Sequence, residues 1–338
     1  MSALHTAINT GSYKKHAQYI LLKRHIREYL DQRGYAEVET PLLSPGLIPE
    51  SYLEVFETEY RYFDLRQKLY LIPSHELYLK QLIAHGMGSC YRLGSSFRNG
   101  ERSASLHSGE FTMLEYYRVP GAYMEMADEL LGLFAYIANQ MYGEVSIPYQ
   151  GSTISFDSFE RMTLTDAFEQ FAGIDRDALL DENLFITSAR KKGYVTDGHS
   201  YDELFSQIYG HEIEPHLGRA GRPTLLYDYP AQFAQTAKLN PDGSAARFDI
   251  YIEGIEIGNC YSELVDIAEV KTRFAAEQEK RRELGKISYP ADESFISALS
   301  QGLPDCSGVA LGIDRVGMLF TDAKSLQEFQ IAYLTTEE

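Results

Sequence analysis

A carboxylate and a phenol share one face of a segment that alternates like a β-strand. The segment is EFTMLEYYR, residues 110–118, in which Glu115 and Tyr117 are two residues apart. Together with Glu263 and Glu76 from other elements, they can enclose an ammonium group through charge-assisted hydrogen bonds and the face of the aromatic ring. By itself the pair also fits an ordinary surface strand.

A second alternating segment, RFDIYIEGIEIGNCYSELVD at residues 247–266, carries acidic side chains on one face. A two-residue turn at Glu253 and Gly254 places Asp249 and Glu256 on that face as diagonal neighbours, about 7 to 8 Å apart at the backbone. Like charges at this separation are stabilised by a cation between them, and the expected one is magnesium with phosphate oxygens. The alternative is a solvated acidic strand face.

Small residues alternate in a third segment, GVALGIDRVGMLF, residues 308–320. Gly308, Ala310 and Gly312 predict a strand with a flat floor on which a planar adenine ring can lie, with Arg315 closing over it. The alternative is a close-packed junction of strand and helix.

Neither a G-x-G-x-x-G nor a P-loop pattern occurs, so the sequence does not indicate a Rossmann fold or a P-loop.

Several antiparallel hairpins with helices between and after them must position these segments, which predicts an α+β domain and argues against a parallel βαβ stack. We expect one domain over residues 1–338, with a helical insertion at about 151–222. The predicted helices cover about 16–33, 74–86, 124–142 and 269–284, and the predicted strands lie within 54–73, 90–98, 110–119, 224–229 and 247–267.

Composition limits the function classes. The formal net charge of −18 disfavours binding to a nucleic-acid polyanion, so no tRNA partner is expected, whereas a few arginines in a cleft can still bind a small phosphorylated ligand. No apolar stretch is long enough for a membrane span and the N-terminus lacks a signal peptide, so we expect no membrane partner and a cytoplasmic protein. Cys90, Cys260 and Cys306 lie far apart, which supports neither a zinc site nor a disulfide framework.

The order of three motifs resembles that of the class II aminoacyl-tRNA synthetases. RGYAEVETPLL resembles motif 1, FRN followed by a loop and EFTMLEYYR resembles motif 2, and GVALGIDR before a helix resembles motif 3. ELYLKQL and GIEIGN..SEL are similar to the lysine branch of the class. SHELYLK and PDCSGVALGIDR resemble the elongation factor P lysine ligases, which attach β-lysine to a lysine of that factor. The resemblance covers roughly residues 16–322.

The resemblance implies ATP and magnesium as cofactors and a role for each matching residue. Arg98 would bind the α-phosphate and Arg315 would lie over the adenine and γ-phosphate, both as catalytic residues. The remaining ATP-binding positions would be Asn99, Gly100, Glu101, His107, Ser108, Phe111, Glu256, Ile257 and Gly312. Asp249 and Glu256 would bind magnesium. The amino-acid pocket would contain Ser74, His75, Glu76, Glu115, Tyr117, Asn259, Glu263 and Ala310.

Two pocket positions favour an elongation factor P ligase over a synthetase, since Ser74 and Ala310 stand where synthetases usually have Ala and Gly. Motif 1 begins near residue 24, so no anticodon-binding domain is expected ahead of it. The resemblance also implies a homodimer through motif 1, with Pro41 at its centre. The substrate, (R)-β-lysine, lysine or another diamine, is left open. The alternatives are a minimal enzyme that charges tRNA and a non-catalytic paralogue that acts as a regulatory module.

Three departures from the pattern concern the pocket. Gly100 fills the usual glutamate position and Glu101 follows it, so the mode of adenine recognition is left open. His75 replaces a proline. Cys260 replaces a glycine, and its larger side chain is expected to narrow the pocket or to favour a different amine.

Overall fold

The fold is described by a computed structural model over residues 4–100 and 105–336. Within these residues the α-helices are α1 Tyr13–Asp31, α2 Glu76–Ala84, α3 Tyr123–Tyr142, α4 Leu164–Ala167, α5 Arg176–Leu180, α6 Glu182–Lys191, α7 Tyr201–Ile208, α8 Ile267–Glu283, α9 Glu293–Ser300 and α10 Ile313–Phe320. The strands are β1 Leu4–Ile8, β2 Ala36–Glu37, β3 Leu43–Ser44, β4 Glu57–Tyr62, β5 Leu65–Leu71, β6 Cys90–Phe97, β7 Glu110–Arg118, β8 Ser146–Tyr149, β9 Ser152–Ser155, β10 Glu160–Thr163, β11 Thr224–Tyr229, β12 Ala245–Ile252, β13 Ile255–Ser262, β14 Ser307–Gly312 and β15 Ala332–Thr336.

A large sheet joins eight of these strands in the order β10, β11, β12, β13, β14, β7, β6, β2. The pairs β10 with β11 and β2 with β6 are parallel, and the pairs between β11 and β6 are antiparallel. The predicted α+β class is therefore confirmed. The three segments singled out for their chemistry lie side by side in the centre of this sheet.

Helix α3 covers one face of the sheet. Its apolar residues at helical spacing, among them Leu130, Phe134 and Ile137, are buried in a core that also contains Leu114 and Phe248 from the strands. Each fully buried side chain of this size contributes roughly 1.5–3 kcal/mol through removal of apolar area from water. The chain's catalytic candidates are consequently left to the opposite face.

The hairpin between β12 and β13 turns at Glu253 and Gly254, which both have positive φ, at 54° and 74°. Such a two-residue turn matches the twist of antiparallel strands. The predicted pairing of Ile252 with Ile255 is confirmed, but a β-bulge then shifts the register, so Asp249 lies opposite Asn259. The simple diagonal between Asp249 and Glu256 was therefore wrong, because an extra residue intervenes on β13.

The predicted helical insertion begins later than expected. Residues 152–155 and 160–163 form β9 and β10, and β10 joins the large sheet beside β11. The helices follow from Leu164, and they bury their own aromatic cluster around Phe168, Phe185 and Phe205. Among the described residues, no helix is both long enough and apolar enough to cross a membrane.

Candidate active site

A row of side chains crosses the centre of the large sheet. Glu115 on β7 lies opposite Ala310 on β14, Ala310 lies opposite Asn259 on β13, and Asn259 lies opposite Asp249 on β12. Directly opposed residues in antiparallel strands point to the same face. The sheet therefore brings these four predicted site residues together on the face away from α3.

The neighbouring row points to the other face and contains Cys260. This residue lies opposite Phe248 and Val309, and all three are buried in the core against α3. The expectation that Cys260 narrows the pocket was wrong, because the side chains of adjacent strand residues point to opposite faces. Ile257 is buried in the same core, so its side chain also lies outside the predicted ATP site.

The floor formed by β14 is open only at one end. A Cβ added at Gly308 would clash with the ring of Tyr117, so this ring already lies over the glycine. A Cβ added at Gly312 would meet nothing closer than the Ile257 carbonyl oxygen at 3.7 Å. The bare surface expected beneath an adenine ring is therefore limited to the Gly312 end, and Gly308 accommodates the aromatic wall of the pocket.

Two carboxylates contact one buried ammonium group beside this row, and a third carboxylate, Glu115, lies close enough to interact with them. Lys80 on α2 forms ion pairs with Glu76 and Glu263, and its side chain is 4% exposed. Glu115 is 1% exposed, and its Oε1 accepts a hydrogen bond of 2.6 Å from the Ser74 hydroxyl. Glu115 Oε2 has no hydrogen-bond partner in the part of the chain that the structure describes. The pocket therefore holds more acidic groups than its own lysine can balance.

The sequence reasoning missed Lys80, although a signal was present. Glu76 and Lys80 are four residues apart in ELYLKQL, the spacing at which side chains meet on one helix face. Ser74 also precedes the helix, and its hydroxyl oxygen accepts a hydrogen bond from the Glu76 backbone N–H at 3.0 Å. One short segment thus supplies a hydroxyl, a carboxylate and an ammonium group to the same pocket.

Burial dominates the electrostatics of these carboxylates. Burial is the main reason that the pKa of Glu115 is raised to about 8. The hydrogen bond from the Ser74 hydroxyl opposes this rise, and the negative charge of Glu76 contributes to it. Burial likewise raises the pKa of Glu263 to about 8, although the ammonium group of Lys80 lowers it. The pKa of Tyr117 is raised by burial and by the charges of Glu76, Glu263 and Glu115. A cation that enters this pocket therefore stabilises the ionised carboxylates.

His75 contributes its backbone rather than its imidazole. The imidazole is fully buried and its Nδ1 lies 2.7 Å from the Thr40 hydroxyl. Burial and the charge of Arg92 lower the pKa of His75 to about 4, so the ring is neutral. The backbone N–H of His75 stabilises ionised Glu115. The His75 side chain is therefore engaged by a hydrogen bond with Thr40, and the predicted position of His75 in the pocket concerns its backbone.

Arg98 follows β6 and lies above the ring of Phe111, with 5.2 Å between its Cζ and the ring centroid. Its Nε is buried, and it lacks a hydrogen-bond partner among residues 4–100 and 105–336. The positive charge of Arg98 acts on Glu115 and lowers its pKa. The structure thus places Arg98 and Phe111 together, with the guanidinium close enough to the acidic pocket to influence it.

Asn99 and Gly100 hold the loop that follows Arg98. The Asn99 backbone N–H donates to the Glu54 carbonyl at 2.9 Å and its side-chain amide donates to the Val55 carbonyl at 3.3 Å. Gly100 has a φ of 75°, a conformation that favours glycine. The predicted role of Asn99 in ATP binding thus competes with these contacts to residues 54–55. Glu101 lies outside the described residues.

Arg315 lies on α10 and contacts two other segments of the cleft. It donates to the Glu256 carbonyl at 2.7 Å and to the Leu106 carbonyl at 3.3 Å, and its Nη2 lies 2.8 Å from His107 Nε2. Since arginine only donates, the His107 nitrogen is the acceptor. Ser108 follows in the same loop and is half-buried. Arg315 is therefore oriented by contacts to β13 and to the loop before β7.

Asp249 and Glu256 lie at the far end of the row, close enough for their charges to interact. Asp249 accepts two hydrogen bonds from Arg247 Nη2, at 2.8 and 2.9 Å, and one of 2.6 Å from the Tyr229 hydroxyl. Burial raises the pKa of Glu256 to about 7, the Asp249 charge adds to this, and Arg315 opposes it. Arg247 and Tyr229 were not predicted. Alternation places Arg247 on the same face as Asp249, whereas Tyr229 comes from the neighbouring strand β11, and its contact with Asp249 depends on strand pairing that the sequence does not show.

Two carboxylates are compatible with magnesium, which commonly binds one or two protein carboxylates and takes its other ligands from water and phosphate. Among the residues that the structure describes, no group of three or more His, Cys, Asp or Glu side chains has the geometry of a metal site. Because Arg247 already compensates Asp249, Glu256 is the carboxylate with more capacity for a metal ion.

Several known proteins are similar in sequence to most of this chain. The family model described as tRNA synthetases class II (D, K and N) matches residues 13–333. The lysine–tRNA ligase of Carboxydothermus hydrogenoformans is 35% identical over 308 residues, which cover 90% of this chain and 62% of that protein. That of Thermoanaerobacter pseudethanolicus is 36% identical over 308 residues, covering 90% and 60%. The elongation factor P–(R)-beta-lysine ligase of Vibrio cholerae serotype O1 is 34% identical over 316 residues, covering 92% of each chain. The chain thus spans about 60% of the length of the lysine–tRNA ligases it matches.

Proposed function

Since the chain belongs to the class II tRNA synthetase family (D, K and N), we propose that it is an ATP-dependent ligase that activates lysine or (R)-β-lysine and transfers it to a lysine side chain of elongation factor P. The observation that carries the proposal is the buried pocket of Glu76, Glu115 and Glu263, which has an excess of carboxylates and suits the ammonium group of such a substrate. The similarity to the Vibrio cholerae ligase over 92% of both chains supports the protein acceptor.

The proposed reaction has two steps. First, a carboxylate oxygen of the amino acid attacks the α-phosphorus of ATP, a new O–P bond forms, and the bond to pyrophosphate breaks. Second, the ε-amine of the acceptor lysine attacks the carbonyl carbon of the adenylate, a C–N bond forms, the amine loses a proton, and AMP leaves. Positioning and charge stabilisation supply most of the rate enhancement for such steps.

Different residues of the cleft carry out different parts of this work. Glu115, Glu263 and Tyr117 hold the terminal ammonium group, which fixes the carboxylate with respect to ATP. Arg98, positioned over Phe111, stabilises negative charge that develops on the α-phosphate. Glu256 with Asp249 would hold magnesium, whose positive charge offsets that of the phosphates.

The test is the Arg98→Ala variant in a pyrophosphate exchange assay with lysine and with (R)-β-lysine. We expect the exchange rate to fall by about 100- to 1,000-fold, the usual loss for one electrostatic contact to a transition state. Arg61→Ala is the control, because Arg61 lies on the exposed strand β4. A near-normal rate in Arg98→Ala would contradict the assignment. Mass spectrometry of elongation factor P after the reaction is expected to show one added lysine residue.

Charging of tRNA is the second candidate function. It is favoured by the lysine–tRNA ligases, whose identities of 35% and 36% are similar to that of the Vibrio cholerae protein. The net charge of −18 opposes it. Aminoacylation of total tRNA, run beside the elongation factor P reaction at the same enzyme concentration, distinguishes the two acceptors.

A homodimer through motif 1 is also proposed, since Pro41 is exposed in the single chain.

A further inference from the structure

Residues 74–76 lead into α2 and bring two groups into the acidic pocket. The first of them, Ser74, donates its hydroxyl to Glu115 Oε1 at 2.6 Å. The last, Glu76, forms an ion pair with the buried ammonium group of Lys80. His75 lies between these two residues in the chain. The positions of both pocket groups therefore depend on how residue 75 is held.

Thr40 lies in a short stretch of backbone that is fixed on both sides. On one side, the Val38 N–H donates to the carbonyl of Tyr91 on β6 at 2.9 Å. On the other side, the Leu42 carbonyl accepts from the N–H of Ile72 at 3.1 Å. Thr40 itself is 8% exposed. This stretch is therefore a firm support for any side chain that is attached to Thr40.

The His75 imidazole joins residues 74–76 to this support. The ring is fully buried, and its Nδ1 lies 2.7 Å from the Thr40 hydroxyl oxygen, the distance of a hydrogen bond. Because burial and the charge of Arg92 lower the pKa of His75, the ring is neutral at pH 7. His75 replaces a proline of the motif that this segment resembles. A proline restricts the backbone through its own ring, whereas in this chain a hydrogen bond restricts it.

The backbone of His75 also fixes the start of α2. Its carbonyl accepts hydrogen bonds from the N–H groups of Tyr78 at 3.0 Å and Leu79 at 3.1 Å. The Glu76 N–H donates to the Ser74 hydroxyl oxygen at 3.0 Å, so the first turn and the hydroxyl are connected. A displacement of residue 75 would therefore move the Ser74 hydroxyl and the first turn of the helix together.

We propose that His75 is a positioning residue, whose hydrogen bond to Thr40 holds Ser74 and Glu76 in the arrangement that binds the substrate. The inference rests on the proposed function and gives a role to a side chain that is buried behind the pocket. Without the hydrogen bond, the Ser74 hydroxyl is no longer held against Glu115 and the amino acid binds more weakly. ATP binding is expected to change little, because Arg98 and Phe111 lie on another segment.

The Thr40→Val variant removes the hydroxyl with little change in side-chain volume, and Thr40→Ser keeps the hydroxyl. The assay is pyrophosphate exchange with the better substrate of lysine and (R)-β-lysine. In Thr40→Val, KM for the amino acid is expected to rise about 3- to 10-fold, the range for one lost hydrogen bond. In Thr40→Ser it is expected to stay within about twofold of the wild type, as is KM for ATP in both variants.

Thr58→Val on the exposed strand β4 is the matched control. A loss of stability alone would lower the amount of active enzyme, and hence the apparent kcat, but would leave KM for the amino acid unchanged. An unchanged KM in Thr40→Val, or an equal rise in Thr40→Val and Thr40→Ser, would overturn the inference. These two variants decide the role of the hydrogen bond even where a substitution of His75 fails to fold.

The His75→Ala variant tests whether the two side chains act as one unit. If they do, adding Thr40→Val to His75→Ala raises KM for the amino acid no further, whereas additive effects would contradict the proposal. Calorimetric dissociation constants for the amino acid are expected to follow the same order without turnover. Absence of exchange activity in the wild type would refute the ligase function, while these dissociation constants would still decide the role of His75.

Discussion

Replacement of Glu115 by glutamine tests both the binding of an ammonium group in the pocket and the effect of the buried carboxylate on stability. Glutamine keeps the shape and an oxygen that accepts from the Ser74 hydroxyl, but it cannot ionise. Without the negative charge, the variant is expected to bind a terminal ammonium group more weakly and to show a higher KM for lysine. The free energy of unfolding of the variant is also expected to decrease less than that of the wild type as the pH rises.

The magnitude follows from the pKa of Glu115, which burial raises from 4.5 to about 8. Between these values the folded protein keeps a proton that the unfolded chain loses, so the wild type becomes less stable as pH rises. Each pH unit in this window removes about 1.4 kcal/mol, or about 3 kcal/mol between pH 5 and pH 7. Glu115→Gln lacks this loss, so its free energy of unfolding relative to the wild type should rise by that amount.

Urea unfolding of both proteins at pH 5 and pH 7, without substrate, measures this difference. Glu110→Gln is the control, since Glu110 lies on the same strand but is exposed, and it should show the same difference from the wild type at both pH values. If Glu115→Gln also shows equal differences at the two pH values, Glu115 is ionised throughout this range in the folded protein. This result would refute the interpretation that the pocket contains carboxylates that are protonated until a substrate cation binds.

Two further substitutions test the geometry of the pocket. Lys80→Met removes the cation buried between two carboxylates and is expected to lower the free energy of unfolding by about 3–5 kcal/mol at pH 8, as measured by urea unfolding. The loss is expected to be smaller at pH 6, because burial raises the pKa of Glu263 to about 8 and this carboxylate can then bind a proton. Gly308→Ala forces a methyl group into the Tyr117 ring and is expected to lower the free energy of unfolding, measured by thermal unfolding, by about 1–3 kcal/mol. Gly312→Ala is the control, because a methyl group has room there. Equal losses of stability in the two variants would mean that the ring does not rest on Gly308.

Hydrophobic periodicity was sufficient to predict most of the main elements. The strand predicted at 110–119 is β7, Glu110–Arg118, and the helix predicted at 124–142 is α3, Tyr123–Tyr142. Helix α9 was missed because it is short, although Asp292 caps it by accepting a hydrogen bond from the Phe295 N–H. The β-bulge in the hairpin was missed because an extra residue on one strand leaves the apolar alternation of the other unchanged.

Site residues were predictable where a side chain acts from a regular strand. The face shared by Glu115 and Tyr117 follows from alternation alone, and the same rule would have placed Cys260 in the core, since its neighbour Asn259 points to the pocket. The role of Lys80 was missed although its (i, i+4) spacing from Glu76 is visible in the sequence, because its second ion pair, with Glu263, joins elements far apart in sequence.

The sheet register also explains how one cleft can hold opposite charge requirements. Glu115 and Asp249 are three strands apart, which separates their backbones by about 14 Å at the usual spacing of 4.8 Å. Direct interaction between the carboxylates at the two ends of the row, Glu115 and Asp249, is therefore weak, and the short side chain of Ala310 leaves the space between them free for a substrate. A net charge of −18 is compatible with ATP binding under this arrangement, because Arg98 and Arg315 act locally inside the cleft, beside the carboxylates that are proposed to bind the amine.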